Sequence, residues 1–409
     1  MRRTASLPGS LVASVVFVTA IAPLATDMYV PGFPRVASDL HASVTEVQLT
    51  LTTFFVGMAL GQLAGGPISD QRGRRVLLIA GTVLMTLASL GCAVAPTFVV
   101  MASARFLQGL GGGWAMVISR AVIVDLASGA QLIRVLNVIA GVGGIGPVVG
   151  PLLGGLILQF SSWRVSFWVL VGAGVLMTAC AAVFVPETLP PERRHGGGFR
   201  TFGRAAAAVL GNRHYLGYVL VATATMGVVF AYVSTSAFIL ETTAGLSPIA
   251  YSIDFAANAA VASIAALLAA RFAGRIPTRR IVLIGLAIGL AGGLGLLVGG
   301  LFLGTPLVLV LVCFLALMID HGLATTNGGA LASAEVPEHP GTGSAVLGLF
   351  QWLAAGVTAP LAGLFGANIT VSAGVLALAG VGLSMIGLLV LARPAGRPGG
   401  STARGLLPE

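Results

Sequence analysis

Lysine is absent from the 409 residues, so all 22 basic side chains are arginine. The absence reads as readily as a base-composition bias as a functional choice, and it points to no partner. Charge of either sign is scarce: 9% of residues are charged, with 13 acids, whereas a soluble domain is usually about one quarter charged. A water-soluble fold is thereby excluded. A nucleic-acid partner is excluded too, because the net charge of +9 is spread over short breaks between apolar runs rather than gathered on a solvated face. The three cysteines, Cys92, Cys180 and Cys313, stand in apolar runs without metal-like spacing, so they support neither a disulfide framework nor a zinc site and read as small packing residues. The chain also lacks a Gly-x4-Gly-Lys-Ser/Thr loop, a His-Glu-x-x-His pair and a cysteine with an evident base. These gaps argue against an ATP-driven pump and against a membrane-embedded enzyme. No cofactor and no metal are implied.

What the sequence has is apolar length, with 56% of residues hydrophobic. A helix crosses a hydrocarbon core of ~30 Å with ~20 mainly apolar residues, and such runs follow one another along the chain. They predict an all-α membrane protein with twelve transmembrane helices at 10–31, 46–69, 76–95, 98–120, 131–158, 163–185, 213–240, 248–271, 279–301, 306–330, 343–366 and 370–392. Arg2-Arg3 before the first run imitates a secretory signal, but similar runs continue behind it, so it is read as an uncleaved first span. An even count puts both termini on one side, and 19 of the 22 arginines then share that side. Only Arg35 and Arg164 fall opposite and Arg105 falls within a span. The positive-inside rule makes the arginine-rich side cytoplasmic.

The longest polar break, from Pro186 to Arg213, divides the chain. Residues 1–185 form a first six-helix half, 186–212 a cytoplasmic linker, 213–392 a second six-helix half and 393–409 a cytoplasmic tail. A faint internal echo supports the division: Arg74-Arg75-Val-Leu-Leu-Ile-Ala-Gly opens span three and Arg279-Arg280-Ile-Val-Leu-Ile-Gly opens span nine. Two halves related about the membrane normal enclose a site near the midplane and expose it alternately by rocking. Transport is the first functional expectation, with a simple channel as its rival.

Four segments carry chemistry. Gly66-Pro-Ile-Ser-Asp70-Gln-Arg72-Gly73-Arg74-Arg75 is a tight turn between spans two and three, in which Asp70 either pairs with Arg74 or caps a helix end. In span five, small residues from Gly141 to Gly155 let a neighbouring helix approach closely, and Pro147 and Pro151 add kinks. Arg105 is the sole arginine deep in a span, where a guanidinium is costly unless paired or wetted. Asp27 lies ~6 Å below the outer end of span one and Arg105 ~10 Å below that of span four, at 1.5 Å per residue. These depths are compatible with contact, so Asp27 is expected to carry a proton and Arg105 to tune it. Asp320-His321, ~20 Å down span ten, is either a second proton relay or a structural acid turned toward loop arginines. Tyr29, Gln108, Phe230, Tyr232, Asn258 and Trp352 are the candidate cavity residues.

The loop resembles the motif Gly-x-x-x-Asp-x-x-Gly-Arg-Arg/Lys of the major facilitator superfamily, matched at Gly66, Asp70, Gly73, Arg74 and Arg75. That resemblance implies a charge-pair latch between the halves in the outward-facing state; the second-half copy has Arg275 where Asp70 stands. Gly146, Pro147, Gly150, Pro151, Gly154 and Gly155 match Gly-Pro-x-x-Gly-Pro-x-x-Gly-Gly, which looks like the signature of exporters in that family. Arg105, Gln108 and Gly109 are similar to the Arg-x-x-Gln-Gly motif associated there with proton coupling. Thr26-Asp27-Met-Tyr29-x-Pro31-x-x-Pro34 is similar to span one of the Bcr/CflA drug-resistance branch, which includes chloramphenicol and florfenicol exporters. Some relatives carry a second acid in that span where this chain has Ala20. The resemblance implies a monomeric proton-coupled antiporter of the bacterial cytoplasmic membrane that exports small amphiphilic drugs. Apart from Asp27, Asp254 and Asp320 the spans offer almost no acid to neutralise a cation, so neutral phenicols such as chloramphenicol are the expected class. Export or uptake of an endogenous sugar, nucleoside or natural product is the alternative.

Overall fold

The computed structural model describes residues 7–194, 198–272, 274–338, 340–363 and 368–393, and among them 12 helices are long and apolar enough to cross a membrane. The first half runs α1 (Gly9–Asp27), a short turn into α2 (Phe33–Asp39), α3 (Val44–Arg72), α4 (Arg74–Ala93), α5 (Phe98–Leu126), α6 (Gly129–Phe160) and α7 (Arg164–Phe184). The linker carries α8 (Gly198–Leu210). The second half runs α9 (Arg213–Ala237), extended by a π turn over Phe238–Thr243, then α10 (Pro248–Arg271), α11 (Thr278–Phe302), α12 (Leu307–Ala334), α13 (Pro340–Leu361) and α14 (Ile369–Ile386). Large apolar side chains such as Phe160, Leu267, Val308 and Phe302 are exposed on the perimeter, as befits a surface whose solvent is lipid rather than water.

Local chemistry sets the helix ends. Ser43 and Glu46 form a capping box at the start of α3, with the Ser43 amide donating to Glu46 Oε2 at 2.7 Å and the Glu46 amide donating to Ser43 Oγ at 3.2 Å. Gly73 joins α3 to α4 in one residue at φ 101°, a conformation in which a β-carbon is strained. The twelve spans stand where their apolar runs place them, with ends moved by a few residues; α5 continues past 120 to Leu126. The linker departs from the expected polar break. Its α8 is an amphipathic helix whose Ala206 and Val209 pack on the cluster around Tyr215, too short and too polar to cross the membrane and therefore invisible to a search for spans.

Helices α1 and α3 to α7 pack on one another, as do α9 to α14, and the halves meet where α3 touches α13 and α6 touches α10. These contacts gather toward the end opposite the arginine-rich turns. There Gln48 Nε2 donates to the Ser234 carbonyl at 3.0 Å, Thr52 Oγ1 donates to the Gly356 carbonyl at 2.7 Å, and the Phe33 and Phe238 rings stand 6.0 Å apart. Among the described residues no ion pair joins the two halves; the four present lie within the first half with its linker or within the second half. The hydrogen bonds and ring contacts that close this end are neutral, while Arg35 of α2 and Glu241 beyond α9 stand on it from opposite halves without forming an ion pair.

Candidate functional site

Arg105 is fully buried in α5. Its Nη1 donates to the Ala25 carbonyl of α1 at 3.0 Å and to Gln108 Oε1, one turn on, at 2.6 Å. Gln108 in turn donates from Nε2 to Ser89 Oγ at 2.7 Å. The guanidinium carbon stands 4.3 Å from the Phe54 ring centroid, 5.2 Å from Tyr29 and 5.9 Å from Phe167, so aromatic faces replace part of the water it has lost. Tyr29 and Gln108, expected at the drug cavity, therefore lie behind it: Tyr29 is held at 3.1 Å from Thr50 Oγ1 and edge-on to Phe33, and Gln108 is taken up by Arg105 and Ser89.

Asp27 is buried at the end of α1 and faces the central cavity. The direct contact expected between Asp27 and Arg105 is not made; the guanidinium grips α1 at the carbonyl two residues earlier. Helix α6 sets the place of Asp27 from behind. A methyl group on Gly150 would stand 2.8 Å from Asp27 Cβ, and one on Gly146 2.8 Å from Pro23 Cβ, so the glycine face of α6 lets α1 lie against it. Gly154 faces Met28, the residue after α1, whereas Gly155 faces Ser252 of α10 across the two halves. Pro147 lines the cavity and Pro151 is buried.

The cavity between the halves has a volume of about 370 Å³. Phe55, Phe230 and Trp352 form an aromatic cluster on its wall, with Phe55 and Phe230 4.4 Å apart and Phe55 stacked on Trp352 at 5.5 Å. Tyr232 and Phe255 stand beside the methionines Met58, Met116, Met226 and Met318. Asp27 and His321 are the ionisable side chains other than tyrosine among the described lining residues. Asn258 is buried off the lining, donating to Asp254 Oδ2 at 3.0 Å. Sequence reasoning missed the methionines, which have no motif and no period of their own.

At the arginine-rich end, Arg74 pairs with Asp70 at 2.6 Å and with Asp125 at 3.2 Å. Glu187, just after α7, accepts from the Arg74 amide at 2.9 Å and the Arg75 amide at 3.3 Å, a carboxylate at the positive end of α4. Gly73 leaves the room for it: a side chain there would run into Glu187. Gly66 has open space around its α-carbon. Every partner of the loop belongs to the first half or its linker, so no latch across the halves is engaged in this state. Glu187 carried no signal in the sequence beyond its position after the sixth apolar run.

His321 faces the cavity with Nδ1 2.9 Å from Thr325 Oγ1, which stands 2.8 Å from Thr225 Oγ1 of α9. Asp320 turns away from the cavity. The alternative of an acid reaching loop arginines is not what the fold forms: Asp320 sits near the middle of α12, 1% exposed, with no ion pair and no hydrogen bond to its carboxyl.

A family model described as Major Facilitator Superfamily matches residues 15–359. The Bacillus subtilis protein described as uncharacterized MFS-type transporter YdgK is 34% identical over 346 residues, 84% of this chain and 86% of that protein. A Haemophilus influenzae bicyclomycin resistance protein homolog is 30% identical over 328 residues, 80% of this chain and 82% of that protein. The solved D-xylose-proton symporter superposes with a TM-score of 0.71 over 91% of this chain and 96% of its own at 15% identity, a likeness of fold alone. Two packed six-helix halves around a central cavity, with these matches along most of their length, make the chain a member of the Major Facilitator Superfamily: a multi-pass membrane transporter of small molecules, not an enzyme.

Proposed function

We propose that the chain is a proton-driven antiporter that exports small amphiphilic drugs, neutral phenicols such as chloramphenicol foremost. The carrying observation is the cavity wall: aromatic and methionine side chains with one acid, Asp27, facing inward. Apolar walls with few orienting polar groups suit an amphiphile, and methionine adapts to varied shapes. An acid that must take up a proton in each cycle leaves no second carboxylate on the described wall to meet a fixed cation. Drug and proton then alternate at Asp27, while Arg105 fixes α1 beside it. The name of the Haemophilus relative supports drug efflux in general.

With the arginine-rich end in the cytoplasm, the structure is the inward-facing member of the cycle, closed on the outside by the contacts of α3 with α13 and α6 with α10. Asp70, Arg74 and Arg75 join the halves in the opposite state, so Asp70→Asn slows turnover and leaves drug binding intact; unchanged turnover would reduce the loop to topology. The functional test is drug susceptibility in an exporter-deficient bacterial host over phenicols, bicyclomycin and a quaternary ammonium dye, with uptake into inverted vesicles driven by a pH gradient. Phenicol resistance above dye resistance, and loss of gradient-driven flux in Asp27→Asn, are the expected results. Normal gradient-driven transport by Asp27→Asn removes the proton from Asp27, and dye resistance without a phenicol effect removes the neutral-substrate reading.

A further inference from the structure

The acid in α12 has a place prepared for it. Gly285 and Gly289, four residues apart and so on one face of α11, leave a notch that the Asp320 carboxyl enters. A methyl group on Gly289 would stand 2.5 Å from Asp320 Oδ2 and 2.7 Å from Cγ, and one on Gly285 3.3 Å from Oδ1. Neither carboxyl oxygen has a hydrogen-bond partner although both are buried. The cavity takes Met318, His321, Gly322 and Thr326 from α12, whereas Asp320 projects from its other side toward α11, which lines no part of the cavity among the described residues.

Nothing charged offsets this carboxyl. On α11, Arg279 donates from the first turn to the Ala392 and Leu388 carbonyls, and Arg280 lies beside it, both about 7 Å or more along the helix from Gly285. On α10, Asp254 is bonded to Asn258, and Arg271 ends the helix. On α9, His214 stands near Glu335, and the described side chains of α13 include no titratable group. His321, the next residue, turns to the cavity and Thr325. An ionised carboxylate accepts hydrogen bonds at about four lone-pair sites, and leaving them empty at mid-membrane is strongly unfavourable, while the same group carrying a proton is neutral.

We propose that Asp320 is a second proton-binding site, set between α11 and α12 outside the drug cavity, so that two protons enter for each drug exported. The proposal rests on the proton-driven reading above and extends it: the proton at Asp27 shares a wall with the drug, and the proton at Asp320 does not. Losing the second proton obliges the carboxylate to leave its notch or open it, which ties the α11–α12 packing to the proton gradient. Drug does not displace that proton by contact.

The test uses the full-length protein in proteoliposomes at a fixed pH difference, with the membrane potential varied until chloramphenicol flux reverses. Wild type is expected to reverse where two protons balance one drug, and Asp320→Asn where one does. An unchanged reversal potential in Asp320→Asn overturns the second site. Infrared difference spectra provide a readout independent of flux: the carbonyl band of protonated carboxyls loses one component in Asp320→Asn, that component persists in Asp27→Asn, and a band left unchanged by Asp320→Asn also overturns the second site. If wild type shows no gradient-driven flux, the antiport reading fails while the infrared band still decides Asp320. Should Asp320→Asn not fold, Gly289→Ala crowds the notch and shifts the same band; a band that does not move counts against the site.

Discussion

Helices α5 and α12 are fourth in their respective halves, and each buries one charged residue, yet they treat it in opposite ways. Arg105 is held through Nη1 by a carbonyl and an amide and is covered by three aromatic faces, from α1 and the turn after it, α3, α5 and α7, with Nε and Nη2 left without a hydrogen bond. Asp320 has two glycines and no partner. A guanidinium stays charged under all physiological conditions, so the surroundings of Arg105 are built for a permanent ion. A carboxyl can shed its charge, and the surroundings of Asp320 are built for an uncharged group. The first half therefore holds a fixed cation, and the second holds a group whose charge varies.

Four substitutions, two of them with a companion variant, break or sharpen that contrast. The largest effect belongs to Arg105→Ala, which strands the Ala25 carbonyl and Gln108 and empties the aromatic cage; hydrogen bonds to a charged group are worth about 1.5–3 kcal/mol each, and the loss is measured as thermal unfolding in detergent. Arg105→Lys recovers only part of this, because an ammonium cannot stack and fork at once. Next is Gly150→Ala, which pushes Asp27 off its position and lowers pH-driven flux roughly tenfold or more with export of a bound drug slowed accordingly; Gly141→Ala on the same helix, with nothing within 4 Å of the new methyl, changes it little. Gln48→Ala removes one bond between the halves and shifts the outward–inward balance by about 1 kcal/mol, readable by cysteine cross-linking of α3 to α13. Smallest is the stability change of Asp320→Asn, within about 1 kcal/mol, because no partner is lost. A loss as large as that of Arg105→Ala would show an unseen partner and collapse the contrast.

The spans, and Arg74 as one of two possible partners for Asp70, were legible in the sequence, because each rests on length, composition or near neighbours in the chain. The cavity was legible in part. Phe230, Tyr232 and Trp352 reach it, while Tyr29, Gln108 and Asn258 lie behind its wall, since a sequence shows which residues are polar or aromatic but not which way a helix is turned. The partner of Arg105 was beyond reach for another reason: a backbone carbonyl such as that of Ala25 leaves no trace in residue identity. Glu187 belongs to the same class, acting on two amides 113 and 112 residues away in the chain. Asp320 could be read as an acid within a span, but its notch depends on Gly285 and Gly289 facing it, one glycine pair among many in a chain with 57.

The closed end, held by Gln48, Thr52 and ring contacts, has a consequence for how the transporter meets its surroundings. Ion pairs between exposed groups weaken as electrolyte rises, with a screening length near 10 Å at 0.1 M; amide and hydroxyl bonds to carbonyls do not. The hydrogen bonds that close this end therefore keep the same tightness as electrolyte changes, whereas the ion pairs of Arg74 with Asp70 and Asp125, which do respond to it, lie at the opposite end.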